Sequence, residues 1–191
     1  MRHPFLIGDT IYLRGLEEQD LLQNYFQWFN DQEVCRFNSH GYFPNNVDKM
    51  REYLNKVYSS DSKLVLAIIF REDDLHIGNI SLQEIDWISR SAEYAIILGE
   101  KGYWGKGIAK EASDLLLDHA FTSLNLFRVY CGTSSKNTAM QRLADYMGMK
   151  KEGVRRSALF SRGEYDDIIE YGILRDEYLD RRKKKRLEVE H

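Results

Sequence analysis

Proline and cysteine are scarce in this chain of 191 residues: only Pro4, Pro44, Cys35 and Cys131 occur. Without proline after position 44, and without a Gly/Ser-rich stretch or an internal repeat, no domain boundary is marked. One domain over residues 1–175 is expected, followed by a basic C-terminal tail over 176–191. Two cysteines with no metal-ligand spacing exclude a disulfide scaffold and leave no metal site to expect. No apolar run approaches the roughly 20 residues of a membrane span. The opening Met1–Asp9 has too short an apolar part for a secretory signal, so a reduced, cytoplasmic setting is expected. A basic excess is missing as well, since the net charge is -3. The cations that stand together are Arg181-Arg182-Lys183-Lys184-Lys185-Arg186, with no interleaved aromatic residue for base stacking. They read as a solvated helix end or a disordered tail, and nucleic-acid binding is not expected.

What the chain does have is Gly102-Tyr103-Trp104-Gly105-Lys106-Gly107-Ile108-Ala109. Ahead of it, Ala92 to Leu98 reads as a strand. Behind it, Ile108, Ala112, Leu115, Leu116, His119 and Ala120 recur at helical spacing. The order strand, glycine turn, helix suits pyrophosphate. Glycines turn the backbone sharply and admit a ligand close to it, and unpaired N–H groups at a helix start attract anions. The alternative is a tight turn with no ligand. Walker A is excluded because Ile108 follows Lys106-Gly107, where Ser or Thr is needed, and the dinucleotide fingerprint because Lys110 stands where its third glycine would be.

Around this turn, Ile11–Arg14 reads as a first strand. Leu21, Leu22, Tyr25, Trp28 and Phe29 mark a helix, and Pro44-Asn45-Asn46 opens a second with Val47, Met50, Leu54 and Val57 as its buried stripe. Residues 63–70 and 76–82 form a hairpin about Glu72-Asp73-Asp74. Residues 127–133 are a further strand, Asn137 starts a short helix capped by Gly148, and 153–174 reads as two strands. The resulting order, β-α-α-β-β-β-α-β-α-β-β, is an α/β (α+β) mixed sheet of about seven strands with helices on both faces.

This order, with the glycine turn between fourth strand and third helix, resembles the GCN5-related N-acetyltransferase (GNAT) superfamily. The likeness extends to Trp28-Phe29-Asn30-Asp31-Gln32-Glu33-Val34, Ile77-Gly78-Asn79-Ile80, Asn125-Leu126-Phe127-Arg128-Val129, Asn137-Thr138-Ala139-Met140, Met147 to Gly153 and Tyr165-Asp166-Asp167. It covers about residues 8–175. It is nearest to the ribosomal-protein N-acetyltransferase branch (RimJ/RimL-like), with spermidine N-acetyltransferases as relatives. The resemblance implies acetyl-CoA as co-substrate and direct transfer to a primary amine in a ternary complex. It implies splayed fourth and fifth strands, and pyrophosphate on the backbone of Gly102, Tyr103, Trp104, Gly105, Lys106 and Gly107, with Ile108 and Ala109 beginning the helix. The backbone of Ile96, Ile97 and Leu98 would pair with the pantetheine arm, and Asn137 would bond it from the other side or act as a helix cap. Lys106 would add charge toward phosphate or remain a solvated lysine. A homodimer is a family-level expectation.

Two departures stand out. Gly102 replaces the Gln or Arg that often begins the phosphate motif. Ala144 and Met140 stand where a Tyr and a Ser proposed as general acids would be, so water is left to protonate the thiolate. As base, Glu93 at the start of the fourth strand comes first, with Glu84 and Asp86 next. Each has an ordinary reading as a solvated carboxylate. His40 and His76 are further candidates, and His119 falls on the helix stripe. Phe37, Tyr42 and Phe43 would line the acceptor mouth. The expected acceptor is a protein or peptide N-terminal amine. The alternatives are a small-molecule amine (polyamine, amino-sugar nucleotide or aminoglycoside) and an acetyl-CoA-binding module without turnover.

Overall fold

A computed structural model describes the backbone of residues 1–189 and the side chains through Lys184. Eight strands form one sheet: β1 (Leu6–Ile7), β2 (Ile11–Gly15), β3 (Leu64–Phe70), β4 (Leu75–Asp86), β5 (Ser91–Leu98), β6 (Arg128–Ser134), β7 (Lys150–Ser161) and β8 (Glu164–Leu174). Their order across the sheet is β1-β2-β3-β4-β5-β6-β8-β7. Every neighbouring pair is antiparallel except β5 and β6. The helices are α1 (Tyr25–Trp28), α2 (Val47–Tyr58), α3 (Ile108–Thr122), α4 (Thr138–Met147) and α5 (Arg175–Val189). The two-residue β1 precedes everything the hydrophobic pattern marked, so the strand before the glycine turn is the fifth, β5.

β3 explains the layering. Its run Leu-Val-Leu-Ala-Ile-Ile-Phe is apolar at every position because both faces are covered. Successive side chains of a strand point to opposite faces. Leu66 and Ile68 join a core with α3, α4 and α5, while Val65, Ala67 and Ile69 join a second core with α1 and α2. The second core reaches β2 and β3 and takes from β5 only Ile97. Beyond β4 that face of the sheet carries no helix among the described residues.

The expected first helix is broken. Residues Glu18–Leu22 form a 3-10 turn, and α1 follows as a single helical turn after an extended Gln23. Asp20 causes the break. It is fully buried, accepts two hydrogen bonds from Arg14 at 2.6 and 2.9 Å, and accepts another from the Glu17 N–H at 2.7 Å. Those bonds tie the segment to β2 rather than to a helix axis. At the other end, β8 runs directly into α5. Tyr178 stacks on Phe121 with ring centroids 5.0 Å apart, and Arg182 pairs with Asp118 at 2.6 Å. The side chains of Lys185 and Arg186, at the end of the basic run, lie outside the described residues.

Candidate active site

Leu98 ends β5, and Gly99 passes against the indole of Trp28 so closely that a Cβ would stand 1.8 Å from it. Glu100 accepts from Trp28 Nε1 at 3.0 Å and from Asn24 Nδ2 at 3.1 Å, and Lys101 bridges Asp31 and Glu33 at 2.8 and 3.0 Å. The segment from Trp28 to Glu33 thus anchors the glycine turn. Lys101–Tyr103 is one 3-10 turn, and Trp104 Nε1 donates to the Leu98 carbonyl at 2.9 Å. Gly105 and Gly107 then take φ of 74° and 82°, the left-handed region that side chains disfavour. A Cβ at either would meet nothing within 4 Å, so the surface above them is open. Gly107 begins α3 without any side-chain cap. The first N–H groups to bond back are those of Lys110 and Glu111, both to the Gly107 carbonyl. Those of Gly105, Lys106, Gly107, Ile108 and Ala109 meet no protein acceptor among the described residues. Five donors in sequence, at the positive end of a 15-residue helix, make an anion cradle. The Lys106 ammonium lies 5.1 Å from the Tyr103 ring centroid.

Next to the turn the sheet opens. β5 and β6 pair only at Ser91/Arg128, Ala92/Val129 and Glu93/Tyr130, although β5 continues to Leu98 and β6 to Ser134. Each strand is held on its far side. β5 stays registered on β4, with the Gly99 and Glu100 N–H groups on the Ile77 carbonyl at 3.0 and 3.1 Å. β6 stays registered on β8 to its end, where Ser134 and Ser135 both donate to Asp166. The wedge leaves the β5 edge at Ile96, Ile97 and Leu98 without a β6 partner. At the β6 end, Asn137 Oδ1 accepts the Met140 N–H at 3.1 Å, the N-cap of α4. Its amide NH2 has no acceptor among the described residues. Ala144 is fully buried, and the Tyr146 hydroxyl donates to Asp114 on α3 at 2.6 Å.

Glu93 belongs to the last β5–β6 pair and so sits at the apex of the wedge, half-buried on the face without helices. Burial pushes its carboxyl above the usual range, the neighbouring Glu84 and Glu170 add to this, and Arg155 opposes it. Glu84 is exposed at a bulge where β4 gains one residue on β5, with φ of 48°. Asp86 is spent on the following turn: its Oδ1 accepts the N–H groups of Ile88 and Ser89 at 2.8 and 2.9 Å, and bonds from Ser89 and Ile88 hold it below the usual range. His76 is a core residue. It is 2% exposed, its Nε2 lies 2.8 Å from Asn79 Oδ1, and burial lowers its pKa. His40 packs edge-on to Phe29 and His119 edge-on to Phe5, both away from the wedge apex. Tyr42, in the loop before α2, donates to the Phe160 carbonyl on β7 and closes a rim beside the open face.

Glu170 is the carboxylate that sequence reasoning missed. It is the one charge in the otherwise apolar run Ile168-Ile169-Glu170-Tyr171-Gly172-Ile173-Leu174, a signal of an unusual position. Its face follows only from the register of β8 on β6.

Residues 10–150 match the family described as Acetyltransferase (GNAT) domain. The chain belongs to the GNAT acetyltransferase family. An N-acetyltransferase of uncharacterised role, p20 of Bacillus licheniformis, is 31% identical over 88% of this chain and 94% of its own. The spermidine N(1)-acetyltransferase of Vibrio cholerae is 28% identical over 91% of this chain and 92% of its own. A crystal structure of the Vibrio cholerae spermidine N-acetyltransferase in complex with CoA and spermine superposes with a TM-score of 0.81, at 28% identity, over 89% of this chain and 98% of that one. The GNAT protein is therefore an acetyl-CoA-dependent N-acetyltransferase. A non-catalytic binding module is set aside. Among the described residues no cluster of His, Cys, Asp and Glu could hold a metal ion. No helix there is long and apolar enough to cross a membrane.

Proposed function

We propose that this acetyltransferase acts on a primary amine of a small polycation of the polyamine class, with Glu93 as the base. The observation that carries this reading is the gathering of Glu93, Glu84 and Glu170 at the apex of the wedge, on the face that no helix covers. The spermidine N-acetyltransferases among the relatives support a small amine over the protein N-terminus expected from sequence.

In this reading the N–H groups of Gly105 to Ala109 hold the pyrophosphate of acetyl-CoA; those of Tyr103 and Trp104, which sequence also offered, are bonded to the Glu100 and Lys101 carbonyls. The β5 edge at Ile96, Ile97 and Leu98, where Trp104 already occupies the Leu98 carbonyl, and Asn137 opposite, receive the pantetheine arm, bringing the acetyl group toward Glu93. When bound, acetyl-CoA supplies an acetyl group activated as a thioester. An alkylamine with a pKa near that of lysine, about 10.4, is mostly protonated at neutral pH and cannot attack until the proton leaves. Glu93 receives that proton, directly or through a water, and its raised pKa brings it closer to the working pH. The amine lone pair forms the new N–C bond, and the C–S electron pair leaves on sulfur. An N–H of β5 turned into the wedge stabilises the developing oxyanion. Ala144 and Met140 provide no proton donor. The thiolate, whose acid has a pKa near that of cysteine, about 8.5, takes its proton from water.

The test is CoA-thiol release from acetyl-CoA with spermidine, spermine, N-terminal peptides, amino-sugar nucleotides and aminoglycosides, against a no-acceptor control. Selective release with the polyamines is expected. Selective release with peptides would return the acceptor to a protein N-terminus.

A further inference from the structure

Register places Glu170 on the same sheet face as Glu93, on the far side of β6 and two residues beyond Glu93's own level. Tyr130 on β6 pairs with Gly172 on β8, and Gly132 pairs with Glu170, so the side chains of Tyr130 and Glu170 share a sheet face. Tyr130 pairs with Glu93, which extends that face to β5. Position 132 has no side chain. A Cβ there would lie 3.3 and 3.4 Å from the two carboxylate oxygens of Glu170 and 3.0 Å from Ile168 Cγ2. The Glu170 carboxylate thus leans over bare β6 backbone just past the last β5–β6 pair. Arg155 on β7 donates its Nε to Glu170 and holds it there. The charged and titratable groups that act on Glu93 are Glu84 from β4, Tyr130 from β6, Glu170 from β8 and Arg155 from β7.

We propose that Glu170 and Arg155 are a positioning pair that sets the electrostatic field in which Glu93 takes the proton of the acceptor amine. The proposal rests on the reading of Glu93 as base. A second carboxylate on the same partly desolvated face disfavours the ionised form of Glu93, and less so once a guanidinium is bound to that carboxylate. Burial does most to raise the Glu93 pKa, Glu84 adds to it, and Glu170 adds further from across β6. Arg155 keeps the base from staying protonated at working pH. Glu84 acts in the same sense as Glu170, and somewhat more strongly, but from the exposed bulge and with no ion-pair partner among the described residues. The pair therefore offers two handles of opposite sign on one residue.

The experiment is a carbon-13 titration of the glutamate side-chain carboxyls in the full-length enzyme. The Glu93 signal is assigned by its loss in Glu93→Gln and followed in the wild type, Glu170→Gln and Arg155→Met. The pH profile of kcat/KM for spermidine is measured on the same proteins. Glu170→Gln should move the Glu93 midpoint, and the acidic limb of the profile with it, to lower pH. Arg155→Met should move both to higher pH. Glu170→Asp, which restores the charge, should return the midpoint toward the wild type. Midpoints that do not move, or that move in the same direction in Glu170→Gln and Arg155→Met, overturn the pair and leave the base assignment standing. Midpoints that move as expected while the acidic limb stays in place overturn Glu93 as base, and the catalytic role of the pair with it.

Discussion

As the proposed base, Glu93 is under two opposed demands. Its position at the wedge apex half-buries a carboxylate that must be ionised to accept a proton, and burial penalises that form. Replacing it with glutamine keeps the shape and removes the charge. Glu93→Gln should lower kcat by roughly 10²–10⁴-fold, the usual contribution of a positioned base, while the Kd for CoA stays unchanged. A rate within a few-fold of the wild type would end its assignment as base. The same substitution should stabilise the protein at pH 7. A carboxyl whose folded pKa lies above its unfolded value contributes stability that is complete below the unfolded value, about 4.3 for glutamate, and is lost as pH rises through the folded value. At neutral pH the charged Glu93 therefore works against folding, and glutamine relieves it. Thermal melts should give a higher Tm for Glu93→Gln at pH 7, with the difference closing below about pH 4. A lower Tm at pH 7 would mean that the carboxylate is held by a partner rather than stressed by burial.

Among the elements, the glycine turn depends on α1, which no CoA contact would reveal. Gly99 lies flat against Trp28, and Trp28 in turn bonds Glu100. A methyl group at 99 would displace the indole and release the turn, whereas at Gly102, inside the 3-10 turn, a Cβ meets nothing within 4 Å. Gly99→Ala should cost about 1–3 kcal/mol through overpacking and weaken CoA binding by roughly tenfold, equivalent to about 1.4 kcal/mol. Gly102→Ala should leave both close to wild type. Titration calorimetry with CoA compares the two, and equal effects would refute the anchoring role of Trp28. This dependence also marks where local pattern stops being informative. The glycine turn, α3, α4 and the β3–β4 hairpin were legible because their periodicity and caps are local. The break in the first helix was not, because Asp20 is recruited by Arg14 from β2 and by a buried His76 whose Nδ1 lies 3.4 Å away. Glu93 could be named as a candidate because it lies near the start of the strand at the acceptor end of the cleft that the resemblance implies. Glu170 could not, because its face is decided by the pairing of β8 with β6, a contact made over long sequence separation.

In the molecule as a whole, the two cores divide the labour. One sheet face is packed continuously by α3, α4 and α5, and the N-terminus of α3 presents the anion cradle; the other is covered only over β2 and β3 and leaves the carboxylates open. The wedge joins the two, so in the proposed reading an anionic co-substrate held at the α3 end and a cationic acceptor arriving on the open face would meet at its apex, which would favour direct transfer over a covalent enzyme intermediate. The charge balance agrees with this division. The net charge of -3 already includes six adjacent cations at 181–186, so the rest of the molecule is considerably more acidic. Acidic fields attract polycations in proportion to their charge and are screened by salt, with a Debye length of about 30 Å at 0.01 M and about 3 Å at 1 M. At saturating acetyl-CoA, raising the salt from about 0.01 M to about 1 M should therefore raise KM several-fold for spermidine but much less for a monoamine of similar length. kcat should change little for either, because the proposed proton transfer to Glu93 is local. Parallel changes in KM for the two amines would mean that the open face does not recognise the remote charges of the acceptor, and that only the reacting nitrogen is read.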